Sequence, residues 1–178
     1  LTTSGGTNLL DPGDNPVENR PFLVVLCAVI AAGDSYADLI RLSAACPGND
    51  LRLGGDEAPP AIISVFLGDA LTGLLKSLAD GHAYEMGERS QLKTGVKALP
   101  LLVQDDNDRN RTSPFAFTGN KFEFRMVGSS QSIGLANAVI GAAVADKLRG
   151  FADRLEAAET VDACIAEIVH QVWDDHGR

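Results

Sequence analysis

The sequence predicts an α+β fold in which antiparallel strands present a charged site and helices pack on the other face. Three observations carry this expectation. Residues 121–126, Lys-Phe-Glu-Phe-Arg-Met, alternate strictly, placing Phe122, Phe124 and Met126 on one side of a strand and Lys121, Glu123 and Arg125 on the other. Residues 22–32 are apolar nearly all round, as a buried helix requires. Near the end of the chain, Val161, Cys164, Ile165, Ile168, Val169 and Val172 form one apolar stripe at helical spacing.

Taken in order, residues 1–19 are rich in Gly, Asn, Asp and Pro and read as loop. A helix beginning near Arg20 puts Pro21 in its first turn, where proline is tolerated, and avoids the roughly 3 kcal/mol that an interior proline costs. Gly33 is expected to end this helix, Asp34 or Ser35 to cap a second, and Pro47-Gly48 to end that one. Residues 49–60 read as a loop loosened by Gly54-Gly55, with Arg52 and Glu57 as its charged members of interest. Composition favours an ordinary connector, as most Gly-rich loops are, over a flap bringing one cation and one carboxylate to a site.

The β-branched run 61–67 predicts a buried strand, and Asp69 a cap for the helix whose Leu71, Leu74, Leu75 and Leu78 share a face. Residues 81–98 lose period and read as a surface excursion containing a solvated His82, and 99–103 return to the core. After residues 128–132 a long helix follows with many small residues, Gly150 marking a kink or break, and Thr160 caps the last helix. His170 and Trp173 border its apolar stripe as packing residues.

The 178 residues fit one domain, and a 45% hydrophobic composition allows a sizeable core. A net charge of −9 argues against a general polyanion binder, so long nucleic acid is not an expected partner and any phosphate recognition must be local. Cys27, Cys46 and Cys164 lie far apart without C-x-x-C spacing, which points to reduced core cysteines in a cytoplasmic protein. The apolar run 22–32 is too short to span a bilayer, so no membrane association is expected. The chain starts without Met and stops directly after a helical pattern, so it reads as part of something longer.

The chemistry concentrates in residues 107–125. Arg109 and Arg111 flank Asn110, Pro114 forces Ser113 into an extended conformation, and Thr118-Gly-Asn120 is a turn between two strands. Two cations flanking the Glu123 carboxylate suit a metal-nucleotide site, where the carboxylate ligates a hard cation and arginines hold phosphate oxygens bidentately. The same alternation also suits a half-buried hairpin with a solvated charged face.

Asn49-Asp-Leu-Arg-Leu-Gly-Gly-Asp-Glu-Ala-Pro-Pro-Ala-Ile62, the segment Asp108-Arg-Asn-Arg-Thr-Ser-Pro-Phe-Ala-Phe-Thr-Gly-Asn-Lys-Phe-Glu-Phe-Arg125 and Gly128-Ser-Ser-Gln-Ser132 together resemble the catalytic domain of type III glutamine synthetases. The resemblance extends to Asn8-Leu-Leu-Asp-Pro-Gly13 and so covers nearly the whole of residues 1–178, read as part of that domain cut at both ends. Pro21, Pro47, Leu51 and Gly134-Leu-Ala-Asn137 depart from the family's pattern.

The resemblance implies ATP-dependent ligation of ammonia to glutamate through a γ-glutamyl phosphate, with Mg²⁺ or Mn²⁺, in a cytoplasmic homo-oligomer built as a large ring. It implies catalytic roles for Glu57, Arg52 and Arg111. Glu57 is the flap carboxylate that accepts a proton from ammonium, Arg52 touches substrate and phosphoryl oxygens, and Arg111 binds ATP phosphates. Arg125 would bind glutamate, Lys121 would join Arg111 at the nucleotide, and Glu123 would ligate metal. Further metal-binding glutamates and a metal-binding histidine of the family would lie before Leu1. Three other readings compete: a γ-glutamyl ligase with another amine acceptor, a non-catalytic nucleotide-binding module, and a single-stranded nucleic-acid binder stacking bases on Phe115, Phe117, Phe122 and Phe124.

Overall fold

The computed structural model describes residues 1–55, 58–82 and 113–177 together with the backbone of 91–92 and 102–103. Most of the expected excursion at 81–98, most of the return at 99–103 and all of 104–112 lie outside the described residues.

A single apolar helix, α1 (Arg20–Ser35), is the centre of the core. Its start follows from sequence: Pro21 sits in the first turn, and Asn19 caps the helix by accepting from the Phe22 N–H at 3.2 Å. Its end does not. The helix runs through Gly33, because that glycine is there for packing: a Cβ on it would stand 2.8 Å from the Val65 Cγ2 of the neighbouring strand. A helix interior tolerates glycine at a cost of about 1 kcal/mol, and here the close approach of a strand accounts for it.

After a turn at Tyr36, which carries no side-chain cap, come α2 (Ala37–Ser43) and α3 (Pro47–Arg52). The second helix has already ended at Ser43, so Pro47-Gly48 does not close it; Pro47 instead opens α3, in the first-turn position where its missing N–H is not needed. Leu51 is exposed on α3.

The expected strand over 61–67 shrinks to β1 (Val65–Phe66), and Ile62 is 78% exposed. A β-branched run forms a strand only where a partner meets it, and the pairing offered is two residues long. In α4 (Gly68–Ala79), Leu71, Leu74 and Leu75 are buried and Leu78 packs against the core, as the period predicts. Asp69 lies inside the first turn, Leu67 takes the cap position, and no side-chain cap bond forms. His82 is exposed.

The segments β2 (Gln91–Leu92) and β3 (Leu102–Val103) pair antiparallel. The hairpin of β4 (Phe115–Phe117) and β5 (Phe122–Phe124) is antiparallel too, in register Phe115 with Phe124, Ala116 with Glu123 and Phe117 with Phe122. Its turn closes through the Thr118 N–H donating to the Lys121 carbonyl at 2.8 Å. Gly119 sits at φ +90°, which a side chain would resist. The three-stranded sheet has the order β1-β4-β5 and is mixed, because β1 runs parallel to β4. The expectation of antiparallel strands thus holds for the hairpin and fails for β1, which is joined to β4 through α4 and the β2–β3 pair rather than through a tight turn.

The last two helices, α5 (Gly134–Ala157) and α6 (Val161–His176), pack on α1, and α4 packs on α6. The 24 residues of α5 run unbroken through Gly150. Its small residues divide: Ala136 and Ala143 are buried, whereas Ala138, Gly141, Ala142 and Ala145 are exposed. Thr160 occupies the cap position of α6 without a side-chain bond. Of the two residues expected to pack beside the stripe, Trp173 lies against the core, but His170 is exposed and pairs with Asp174 one turn on at 3.6 Å.

All three cysteines are free. Cys27 and Cys164 are buried, and burial pushes the Cys27 thiol up to about 12. Cys46 is partly exposed and accepts from Gln131 Nε2 at 2.9 Å. Among the described residues, no single helix is long and apolar enough to cross a membrane.

Because α1 is surrounded, its fully buried Leu26 is a sensitive probe of the core. Leu26→Ala is expected to remove about 2–5 kcal/mol of stability, the lost transfer energy plus the cavity left behind. Denaturant titration of both proteins checks this, and a loss under about 1 kcal/mol would show that α1 is not the load it replaces in the core.

Candidate functional site

The β4–β5 hairpin sorts its side chains as the alternation predicts. Phe115, Phe117, Phe122 and Phe124 interlock on one face, with ring centroids 5.0 Å apart for Phe115–Phe122, 5.9 Å for Phe115–Phe124 and 5.3 Å for Phe117–Phe122. Phe117 meets Phe22 of α1 at 6.3 Å. Phe115 and Phe117 are buried in the core, and Phe122 and Phe124 pack against it half-buried.

Lys121, Glu123 and Arg125 share the other face, and Glu123 is the hub of the charged group. Its carboxylate accepts from Arg125 Nη2 at 3.2 Å and Nε at 3.4 Å, and from Thr118 Oγ1 at 3.3 Å. Lys121 Nζ stands 3.5 Å away. Burial pushes the Glu123 carboxyl up, but hydrogen bonds and charge from Arg125 and Lys121 outweigh it and hold the group below the usual carboxylate range. The Arg125 side chain is 13% exposed and that of Glu123 40%, so an ionised carboxylate still faces outward over a largely buried guanidinium.

Met126 continues the alternation into a second small core with Ala44, Leu53, Ile63, Phe124 and Val127. There the chain leaving the hairpin meets the end of α3. Arg52 Nη2 donates to the Met126 carbonyl at 3.0 Å and Arg52 Nε to Asn49 Oδ1 at 3.0 Å. Asn49 Nδ2 donates to the carbonyls of Ala44 at 2.7 Å and Met126 at 2.8 Å. Beyond Met126, the Gly128 N–H donates to Gln131 Oε1 at 2.7 Å. The described parts of the three motifs, 49–55 with 58–62, 113–125 and 128–132, are therefore one contiguous structure. The loop after Arg52 closes on itself, with Gly54 N–H donating to the Pro59 carbonyl at 2.9 Å.

Of the predicted site residues, the structure places Arg52, Lys121, Glu123 and Arg125; Glu57 and Arg111 lie outside the described residues, as does Arg109. Asn49, Thr118 and Gln131 hold this region together and were not singled out by residue type. The available signal for Asn49 was its position three residues before Arg52, a spacing that puts both side chains on one face of a helix. Beside the hairpin a cavity of about 620 Å³ is lined by Lys121, Phe122, Phe124, Gly128, Ser129 and Gln131. A second, of about 380 Å³ between α1, α4 and α6, touches none of the predicted site residues. Among the described residues, no three His, Cys, Asp or Glu side chains are grouped to hold a metal ion.

No family model matches the chain. It is similar to a type-3 glutamine synthetase of Dictyostelium discoideum, 49% identical over 149 residues, covering 84% of this chain and 20% of that protein. It is similar to a glutamine synthetase of Butyrivibrio fibrisolvens, 58% identical over 123 residues, covering 69% of this chain and 17% of that protein. A glutamine synthetase of Bacteroides fragilis (strain YCH46) is 44% identical over 154 residues, 85% of this chain and 21% of its own length. The chain spans about a fifth of the length of these relatives.

Proposed function

We propose, from the premise that this chain is a relative of glutamine synthetases over most of its own length, that it forms part of the catalytic domain of an enzyme ligating ammonia to glutamate at the expense of ATP. The observation that carries this reading is the Glu123 carboxylate, held ionised between Arg125 and Lys121 in a segment joined to Arg52.

The γ-carboxylate of glutamate is a poor electrophile and is activated as a γ-glutamyl phosphate, a step that depends on neutralising phosphoryl charge. Arg125 supplies a fixed guanidinium for the substrate carboxylate, Lys121 an ammonium for the nucleotide phosphates, and Arg52 a second guanidinium for substrate and phosphoryl oxygens. Arg111 is assigned to ATP phosphates and Glu57 to ammonium. Glu123 fits one ligand position of a hard divalent cation, Mg²⁺ or Mn²⁺: it is anionic, oxygen-bearing and partly exposed. When bound, such a cation would neutralise phosphate charge; among the described residues no three His, Cys, Asp or Glu side chains are grouped to hold it. The whole protein is read as a cytoplasmic homo-oligomeric ring. A γ-glutamyl ligase using another amine is the second reading, and Glu57 favours ammonia over it because a carboxylate both binds ammonium and takes its proton.

The test is glutamine formation by the full-length protein from glutamate, ammonia and Mg²⁺-ATP, with each omitted in turn. Activity with another amine and none with ammonia would replace the reading by its alternative. Within it, Glu57→Ala is expected to damage amide formation more than phosphorylation, because ammonium is deprotonated after the acyl phosphate has formed. Phosphate release that depends on glutamate and exceeds glutamine formation is the expected signature, while equal loss of both products assigns Glu57 a structural role.

A further inference from the structure

We propose that Asn49 is the positioning residue of Arg52, setting the angle at which its guanidinium meets the substrate; the inference rests on the function proposed above. Asn49 is 4% exposed, and it is the only buried polar residue among the described residues. Every hydrogen-bonding direction its amide uses is accounted for. Both Nδ2 hydrogens go to main-chain carbonyls, of Ala44 and Met126, and Oδ1 accepts from Arg52 Nε. The amide has one workable orientation, since a flip would set its NH₂ against the Arg52 Nε–H and its oxygen against two carbonyls.

The consequence falls on Arg52. A guanidinium has five N–H donors in a rigid plane. Its inner edge, Nε and one Nη2 hydrogen, is held by Asn49 Oδ1 and the Met126 carbonyl, and that carbonyl also accepts from Asn49. No described residue bonds Nη1, so the outer Nη1–Nη2 edge is left to meet two oxygens of a carboxylate or phosphate side by side. Met126 directly follows Arg125, so the same amide ties the Arg52 plane to the residue that carries the second guanidinium, just past the end of β5. Gly128 completes the fit: a Cβ there would stand 3.3 Å from Asn49 Oδ1 and 3.1 Å from Gln131 Oε1, pressing on the atom that accepts from Arg52.

A double-mutant cycle in the full-length enzyme separates this role from general support. Asn49→Ala alone is expected to lower kcat/KM for glutamate about tenfold or more, as is Arg52→Lys, which keeps the charge but has no Nε–H. In the Arg52→Lys background, Asn49→Ala is expected to add no more than about a twofold loss, because the group it positions is already gone. Losses that multiply would overturn the proposal. If Asn49→Ala does not accumulate folded, Asn49→Asp decides: it sets an oxygen against the Ala44 and Met126 carbonyls that Nδ2 bonded and so disturbs the same hold on Arg52, and a kcat/KM loss of about tenfold that shrinks to about twofold or less in the Arg52→Lys background supports the role, while a loss that persists undiminished there, or no loss at all, overturns it. A wild-type protein that makes no glutamine would instead remove the proposed function itself.

Discussion

Glu123→Gln in the full-length protein is expected to lower glutamine formation by at least about tenfold and to raise the Mg²⁺ concentration needed for half-maximal rate; tenfold corresponds to roughly 1.4 kcal/mol of transition-state stabilisation. Glutamine preserves the shape, its one amide oxygen can still accept from Arg125 and its NH₂ can donate to the Thr118 hydroxyl, so the hairpin is expected to survive, but the charge facing outward is gone. Activity and Mg²⁺ dependence within about threefold of wild type would mean that Glu123 serves only as the internal partner of Arg125 and Lys121. The pH dependence has a definite sign. The folded carboxyl lies below its ordinary value of 4.5, so the stabilisation it gives is present above that value and is lost as pH falls through the lower, folded one. An activity loss on mild acidification above pH 4.5 is therefore not expected to come from Glu123.

Purified residues 1–178 are expected to form no glutamine from glutamate, ammonia and Mg²⁺-ATP, whereas the full-length protein forms it. Mg²⁺ takes near-octahedral oxygen coordination, and among the described residues Glu123 stands without two further His, Cys, Asp or Glu partners to share a metal. The chain also spans only about a fifth of its relatives' length. Glutamine formation measured on both proteins side by side decides it. Turnover by residues 1–178 at a rate comparable to the longer protein would mean that the site is complete within them and that a single carboxylate of this hairpin suffices with ligands from residues 56–57, 83–90, 93–101, 104–112 or 178.

The sequence by itself determined the features that depend on local spacing. Alternation across 121–126 set Phe122, Phe124 and Met126 against the core and Lys121, Glu123 and Arg125 on the other face, and the helical period picked out the buried faces of α4 and α6. Proline's missing N–H placed the start of α1. Tertiary structure decided the rest, because those outcomes depend on what comes close from far along the chain. Gly33 reads as a helix end until Val65 is found against it, and 61–67 reads as a strand until its partner proves to be two residues of β4. Asn49 and Arg52 read as neighbours on a loop. Only folding brings Met126, 74 residues beyond Arg52, to accept from both, and a buried amide with three partners then fixes the direction of a guanidinium that the sequence could only name.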